Sequence, residues 1–272
     1  MKEITDIVNE NKLSVSSVEG SYSYKLSFIE GEDCYVAFID ILGFKEYVLK
    51  NSITEVKKIF DDLLQVRESV FKLLGVKEFE EMQIHSYFQV MSDSIVIAVP
   101  TKYNNSLAFI CECCRQIQAK LLHEQVLARG AITRGEFYGK NGIMFGKAFI
   151  QAYLMESGDA KYPRIILSAK LINDYLKRVG TSTIIYVTDF VIKSPDEYYF
   201  VNYFMIYITG DETARKLSGL IKQKISSESV SGSIRDKYLW LKDYFNKAVF
   251  DKSYNIDIDS KYEINENVTY GL

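Results

Sequence analysis

The stretch MQIHSYFQVMSDSIVIAVP (82–100) decides the fold class. Two runs rich in β-branched and aromatic residues, 82–91 and 94–100, flank Ser92-Asp93. That pattern predicts a hairpin with a polar turn, and Pro100 ends its second strand. Upstream, CYVAFIDI (34–41) is a short apolar run closing on an acid, the mark of a buried strand. Between the two lies GFKEYVLKNSITEVKKIFDDLLQVRESVFKLLG (43–75), with Val56, Ile59, Phe60, Leu63, Leu64, Val66, Val70, Leu73 and Leu74 at helical spacing. Asn51-Ser52 interrupts this segment, and Ser52 or Thr54 caps a second, longer helix.

Downstream the alternation continues. SLAFICECCRQIQAKLLHEQ (106–125) predicts a helix, ARGAITRGEFYG (128–139) a strand with glycines near both ends, and 146–157 a helix. RIILS (164–168) reads as a strand, 169–178 as a helix, and TIIYV (183–187) and YYFVNYFMIY (198–207) as strands. Two helices follow, around 211–225 and 233–249. A hairpin inside a strand–helix alternation excludes a purely parallel doubly wound sheet. It fits an α+β sheet with helices on one face. The order strand, helix, hairpin, helix, strand is ferredoxin-like. SYSYKLSFIE (21–30) alternates enough to be a strand or an arm, and the chain divides into a polar N-terminal arm (1–32), a central α+β domain (33–205) and a C-terminal helical extension (206–272).

Composition narrows the class. Of 272 residues, 47% are hydrophobic, enough for a sizeable core, and 3 Pro with 15 Gly argue against long disordered linkers. A formal net charge of −3 gives no support to a nucleic-acid binder, although one phosphate pocket can oppose the net sign. Cys34, Cys111, Cys113 and Cys114 form no paired CxxC set, so zinc is not expected, and reduced buried thiols are. MKEITDIVNENKLS lacks a signal-peptide core, and no apolar run reaches membrane-spanning length. A cytoplasmic protein without a membrane partner is expected.

Three segments concentrate the chemistry: FIDILGF (38–44), VMSDSIV (90–96) and RGAITRGEFYGKNGIMFGKAFIQAYLMES (129–157). Asp40 ends an apolar strand, where an ionised carboxylate needs a partner. Gly43 permits a tight turn into a helix whose first amides suit a triphosphate. Asp93 sits in the hairpin turn. Singly, a strand-end Asp is ordinary capping and a turn Asp ordinary turn chemistry. Together, the ferredoxin-like order brings both acids to one sheet edge. Two facing carboxylates suit Mg²⁺ or Mn²⁺ shared with substrate phosphates, two ions per site.

FIDILGF resembles the metal-binding opening strand of class III nucleotide cyclases, and SDSIV their second metal-binding hairpin. RGAITRGEFYG and FGKAFIQAYLMES resemble the later strand and helix of the same domain, so the resemblance spans roughly 33–205. It implies a head-to-tail homodimer with interfacial active sites, a nucleoside triphosphate substrate, and metal ligation by Asp40 and Asp93 assisted by the Ile41 carbonyl. Arg129 matches a family arginine.

The departures redirect the substrate. Purine cyclases place Lys or Glu where this chain has Gln89, and their second base reader falls at Ile143. The family Asn and Arg of the helix fall at Ile150 and Leu154. The altered set, with Tyr162-Pro163-Arg164-Ile165, is similar to the pyrimidine cyclases of the bacterial Pycsar anti-phage system. That likeness implies cyclic UMP or cyclic CMP sensed by a separate effector.

Individual residues carry competing expectations. Arg129 and Arg134 are five apart on one strand, so they fall on opposite faces. Arg129 either meets substrate or pairs with Glu136 or Glu156. Lys147 contacts phosphate or is solvated. Gln89 offers an amide to a base or to solvent, and Phe44 lines a base pocket or packs in the core. His85, His123, Glu156 and the aromatics at 198–204 are read as structural. A catalytically inactive cyclase-like domain is the alternative function, and a polymerase or diguanylate cyclase palm a third.

Overall fold

The computed structural model describes residues 28–74, 81–82, 85–180, 187–227, 230, 232–250 and 262–264. The first strand, β1 (Ile29–Leu42), is longer than 34–41. Its polar half, including Gly31 at φ 70°, pairs with the far end of a later strand and shifts register between Glu30 and Glu32. A polar IEGED stretch with a glycine hides that strand from periodicity.

Three helices follow: α1 (Phe44–Lys50), α2 (Ile53–Leu64) and α3 (Val66–Leu74). Ser52 is the cap of α2, through a reciprocal box. Its Oγ accepts from the Glu55 amide at 3.3 Å, and the Glu55 carboxylate accepts from the Ser52 amide at 2.7 Å.

The hairpin is β2 (Tyr87–Met91) and β3 (Ser94–Pro100), with Ser92 at φ 55° in its turn. The run 82–91 therefore becomes a strand only at Tyr87, and residues 81–82 are helical. Tyr87 pairs with Ala98. Two positions further along lies Pro100, which has no N–H to offer a ladder.

Next come α4 (Ser106–His123), β4 (Leu127–Lys140), the short β5 (Ile143–Phe145) folded back on β4, α5 (Lys147–Gly158), β6 (Ile165–Ser168) and α6 (Ala169–Val179). The segment read as TIIYV lies largely outside the described residues, and Val187 opens a 3-10 turn. β7 (Val191–Lys193) and β8 (Tyr198–Val201) form the last hairpin. The run 198–207 is thus only half strand. After Asn202 the chain coils into α7 (Phe204–Tyr207), where the Phe204 amide is taken by the Tyr244 hydroxyl. The long helices α8 (Asp211–Ser226) and α9 (Gly232–Phe250) complete the described chain.

The sheet order is β2-β3-β1-β4-β6-β8-β7, with β5 on β4. β1 is antiparallel to both β3 and β4, and only β4 and β6 run parallel. The four strands β4-β1-β3-β2 keep the ferredoxin-like order inside an α+β fold. Alternation along β1 divides the interior. Tyr35, Ala37, Ile39 and Ile41 enter the main core with residues of α2, α3, α4 and α6. Cys34, Val36 and Phe38 face Ala148 and Ala152 of α5 on the other side. A further core joins α8 and α9 to the sheet through Ile166, Phe200, Trp240 and Tyr244. All four cysteines are buried and outside any disulfide.

Candidate active site

Asp40 sits between two register partners: Ser94 on β3 and Arg129 on β4. It points to the same sheet face as Phe38, the face covered by α5. Asp93 is the exposed turn residue before Ser94. The Ile41 amide donates to the Asp93 carbonyl at 2.7 Å, which fixes the turn against the end of β1. In an extended strand a residue's N–H and C=O point the same way, so the Ile41 carbonyl is aimed at the Asp93 side.

Arg129 is shared. Its Nε lies 2.7 Å from Glu156 Oε1 and 3.4 Å from Asp40 Oδ2, and its Nη1 donates to the Ala160 carbonyl at 3.5 Å. Glu156, on α5, is buried, with its side chain 4% exposed. Burial pushes the Asp40 carboxyl above the ordinary range; Arg129 opposes this, Asp93 adds to it and Lys237 opposes it. Burial likewise raises Glu156, against Arg129 and with help from Asp40. Lys237 of α9 is lowered by burial and by Arg129, with Asp236 and Asp40 opposing. An acid pair with one cation on its flank is therefore electrostatically coupled to the appended helix. Nothing local in the sequence points to this influence of Lys237, which lies near the far end of the chain and whose ammonium donates to the Ser233 carbonyl of its own helix at 3.1 Å.

Gly43 has φ 73°, the left-handed turn that carries β1 into α1. The Phe44 side chain turns inward, edge-on to Phe60 at 5.7 Å, and packs against the main core rather than lining an open pocket. Gln89 lies on β2 opposite Val96, on the Asp40 face, with its Nε2 donating to the Val90 carbonyl at 3.1 Å. Lys147 begins α5 and pairs at the surface with Glu136 at 3.3 Å. It lies nine positions before Glu156, about 13 Å along the helix at ~1.5 Å per residue. Within one chain it is not brought to the acid pair. Arg134 is on the opposite face from Arg129, bound to Asp33 at 2.7 Å. His85 contacts the Tyr103 hydroxyl at 2.7 Å, and His123 packs on Tyr207.

Among the described residues no group of three or more His, Cys, Asp or Glu is arranged to hold a metal alone. The donors that are present, two carboxylates and a backbone carbonyl, are all hard oxygens. They match Mg²⁺ or Mn²⁺, which take their remaining ligands from water and substrate phosphates. No described helix is long and apolar enough to cross a membrane.

No family model matches the sequence, and no curated protein matches it. Solved structures do. The chain is similar to a guanylyl cyclase domain (an E497/C566D double mutant) of the RhoGC fusion protein from the aquatic fungus Blastocladiella emersonii, at 16% identity and TM-score 0.44, covering 64% of this chain and 97% of that one. It is similar to the guanylate cyclase domain of RhGC from Catenaria anguillulae in complex with GTP, at 14% identity and TM-score 0.41, covering 62% and 96%. An adenylate/guanylate cyclase/hydrolase from Silicibacter pomeroyi matches at 15% identity and TM-score 0.39, covering 64% and 98%.

Proposed function

We propose that this chain is a nucleotide cyclase acting on a pyrimidine nucleoside triphosphate, UTP or CTP, in the cytoplasm. The observation that carries the reading is the meeting of Asp40 and Asp93 at one sheet edge, joined by the Ile41–Asp93 backbone bond. The motif resemblance supports the reaction class. The ribose 3′-oxygen bonds to the α-phosphorus as the bond to the β-phosphate oxygen breaks. The hydroxyl proton leaves, and pyrophosphate departs. Bound Mg²⁺ or Mn²⁺ would acidify that hydroxyl and neutralise the triphosphate. Asp40, Asp93 and the Ile41 carbonyl hold the metal side. Amides at Gly43 and Phe44 orient phosphates. Arg129, seated by Glu156 and only loosely engaged by Asp40, neutralises the departing pyrophosphate from that fixed position.

The active unit is a homodimer with interfacial sites. Ile143, Phe145, Ile150, Tyr153 and Leu154 are all exposed on β5 and α5, an apolar surface suited to a second copy. Gln89 and Lys147 then serve a site completed by the partner. The pyrimidine preference rests on Gln89 and Ile143 standing where purine readers occur. The product acts as a messenger to a separate effector in antiviral defence.

Ile150 and Leu154 favour a second reading, an inactive cyclase-like nucleotide-binding domain, because exposed apolar side chains cannot steady a phosphate. Incubating the protein with Mn²⁺ and each of the four NTPs, then analysing products by mass spectrometry, separates the two. Cyclic UMP or cyclic CMP is expected. Cyclic AMP or GMP as the sole product overturns the pyrimidine assignment, and metal-dependent binding with no product supports the inactive domain.

A further inference from the structure

A cavity of about 380 Å³, lined by neither Asp40 nor Asp93, opens beyond the end of α5. It falls within the ~300–1,000 Å³ typical of small-molecule sites. Its walls come from three places: the 158–164 loop after α5, the β7–β8 turn, and Trp240 of α9. The appended helix therefore builds one side of it.

The lining is specific in its chemistry. Arg164 is buried, its side chain 2% exposed. Its Nη1 donates to Ser194 Oγ at 2.9 Å and to Asp196 Oδ1 at 3.2 Å, and Nη2 pairs with Asp196 Oδ2. Its Nε has no hydrogen-bond partner among the described residues. The guanidinium lies 5.7 Å from the Tyr162 ring centroid and 5.9 Å from that of Trp240. Those two rings stack at 5.8 Å, nearly parallel at 6°. Tyr198 adds a third aromatic, its hydroxyl donating to the lining carboxylate Asp159 at 2.9 Å, and exposed Lys161 is the cation at the rim not paired with an acid among the described residues. Aromatic faces with a guanidinium favour a planar ring. The half-exposed Asp196 carboxylate accepts from ring or exocyclic N–H groups, and Lys161 attracts an anionic tail.

We propose that this cavity is a second ligand site, separate from the acid pair, that takes a planar heteroaromatic anion of nucleoside monophosphate size. The two sites share a wall. The Arg164 carbonyl accepts the Gly130 amide at 3.1 Å, one residue from Arg129, and Ala160, which Arg129 contacts, lies within the same loop. The proposal does not depend on cyclase activity.

Trp240 is the only tryptophan in the chain and lines this cavity, so its emission is a direct probe of occupancy there. The test titrates the full-length protein with UMP, CMP, AMP or GMP, with inorganic phosphate as control, in EDTA to silence any metal-dependent site. Saturable quenching by at least one nucleotide and not by phosphate is expected. Affinity should fall at least tenfold in Lys161→Ala and in Tyr162→Ala, and stay within twofold in Asp93→Asn. Lys161 is at the surface, so its variant remains informative if Tyr162→Ala fails to fold. No saturable change up to millimolar nucleotide overturns the proposal. So does quenching that Lys161→Ala leaves intact, or that Asp93→Asn removes. A protein that makes no cyclic nucleotide but quenches as described leaves this site standing.

Discussion

The Asp40 carboxylate and the Glu156 carboxylate compete for one guanidinium: Arg129 Nε is 2.7 Å from Glu156 and 3.4 Å from Asp40. The closer, more buried acid holds the cation, and the looser one is left available to other charges. Asp40 therefore has a flanking cation without being consumed by it.

Catalysis and folding should separate at the acid pair. Asp40→Asn and Asp93→Asn are each expected to lower cyclic nucleotide formation by roughly 10³-fold or more, the scale of several kcal/mol of charge stabilisation. Asp93 is an exposed turn residue, so its variant should keep its stability within about 0.5 kcal/mol. Mass spectrometry of product and thermal melts of the same samples check both halves.

The pH dependence of Asp40 has a definite sign. Burial raises its folded pKa, with Arg129 opposing and Asp93 adding. A carboxyl that holds its proton more tightly when folded stabilises the fold below its unfolded value of about 3.9, and that contribution is lost as pH rises through the folded value. Without metal, Asp40→Asn should therefore melt higher than the parent at pH 7, and the gap should close as pH falls toward about 4. A variant that melts lower at pH 7 would show that the Arg129 contact outweighs burial.

Removing Arg129 should cost far more than removing its partner's charge. Arg129→Ala strands a buried Glu156 carboxylate, a change worth about 3–5 kcal/mol. Glu156→Gln leaves a partly exposed arginine that still meets Asp40. Adding Glu156→Gln to Arg129→Ala should recover part of the loss, which a double-mutant cycle in urea measures directly.

The dimer prediction concerns α5. Ile150→Glu with Leu154→Glu should turn a dimer into a monomer in sedimentation, with the melting temperature little changed because both side chains are exposed. A parent protein that sediments as a monomer at micromolar concentration would contradict the interfacial site.

Much of this architecture was legible from pattern. The β2–β3 hairpin, the Ser52 cap and the unbroken burial of Cys34–Ile39 in β1 follow from composition and turn chemistry, which are local. Of the strand half at Ile29–Asp33, the alternation of SYSYKLSFIE reaches only Ile29 and Glu30, and residues 21–27 lie outside the described chain; the polar remainder carries no period, and its partner, β4, lies about a hundred residues away. The helical turn at Phe204–Tyr207 reads as strand because aromatic residues are enriched in strands, and tertiary packing on Tyr244 overrides that preference. At the site, the acids stood out because a charge ending an apolar run is costly. Glu156 was weighed as structural, and the structure shows it doing that by holding Arg129. Lys237 and the Trp240 cavity come from a helix docked across the sheet, a contact no spacing encodes.

The division of labour around Arg129 also bears on how such a domain evolves. With Glu156 and the Ala160 carbonyl still in place around Arg129, a lineage that loses Asp40 keeps two of the three groups that seat the arginine. On the proposed function, the chemistry can then be lost in one step without the loss of the fold.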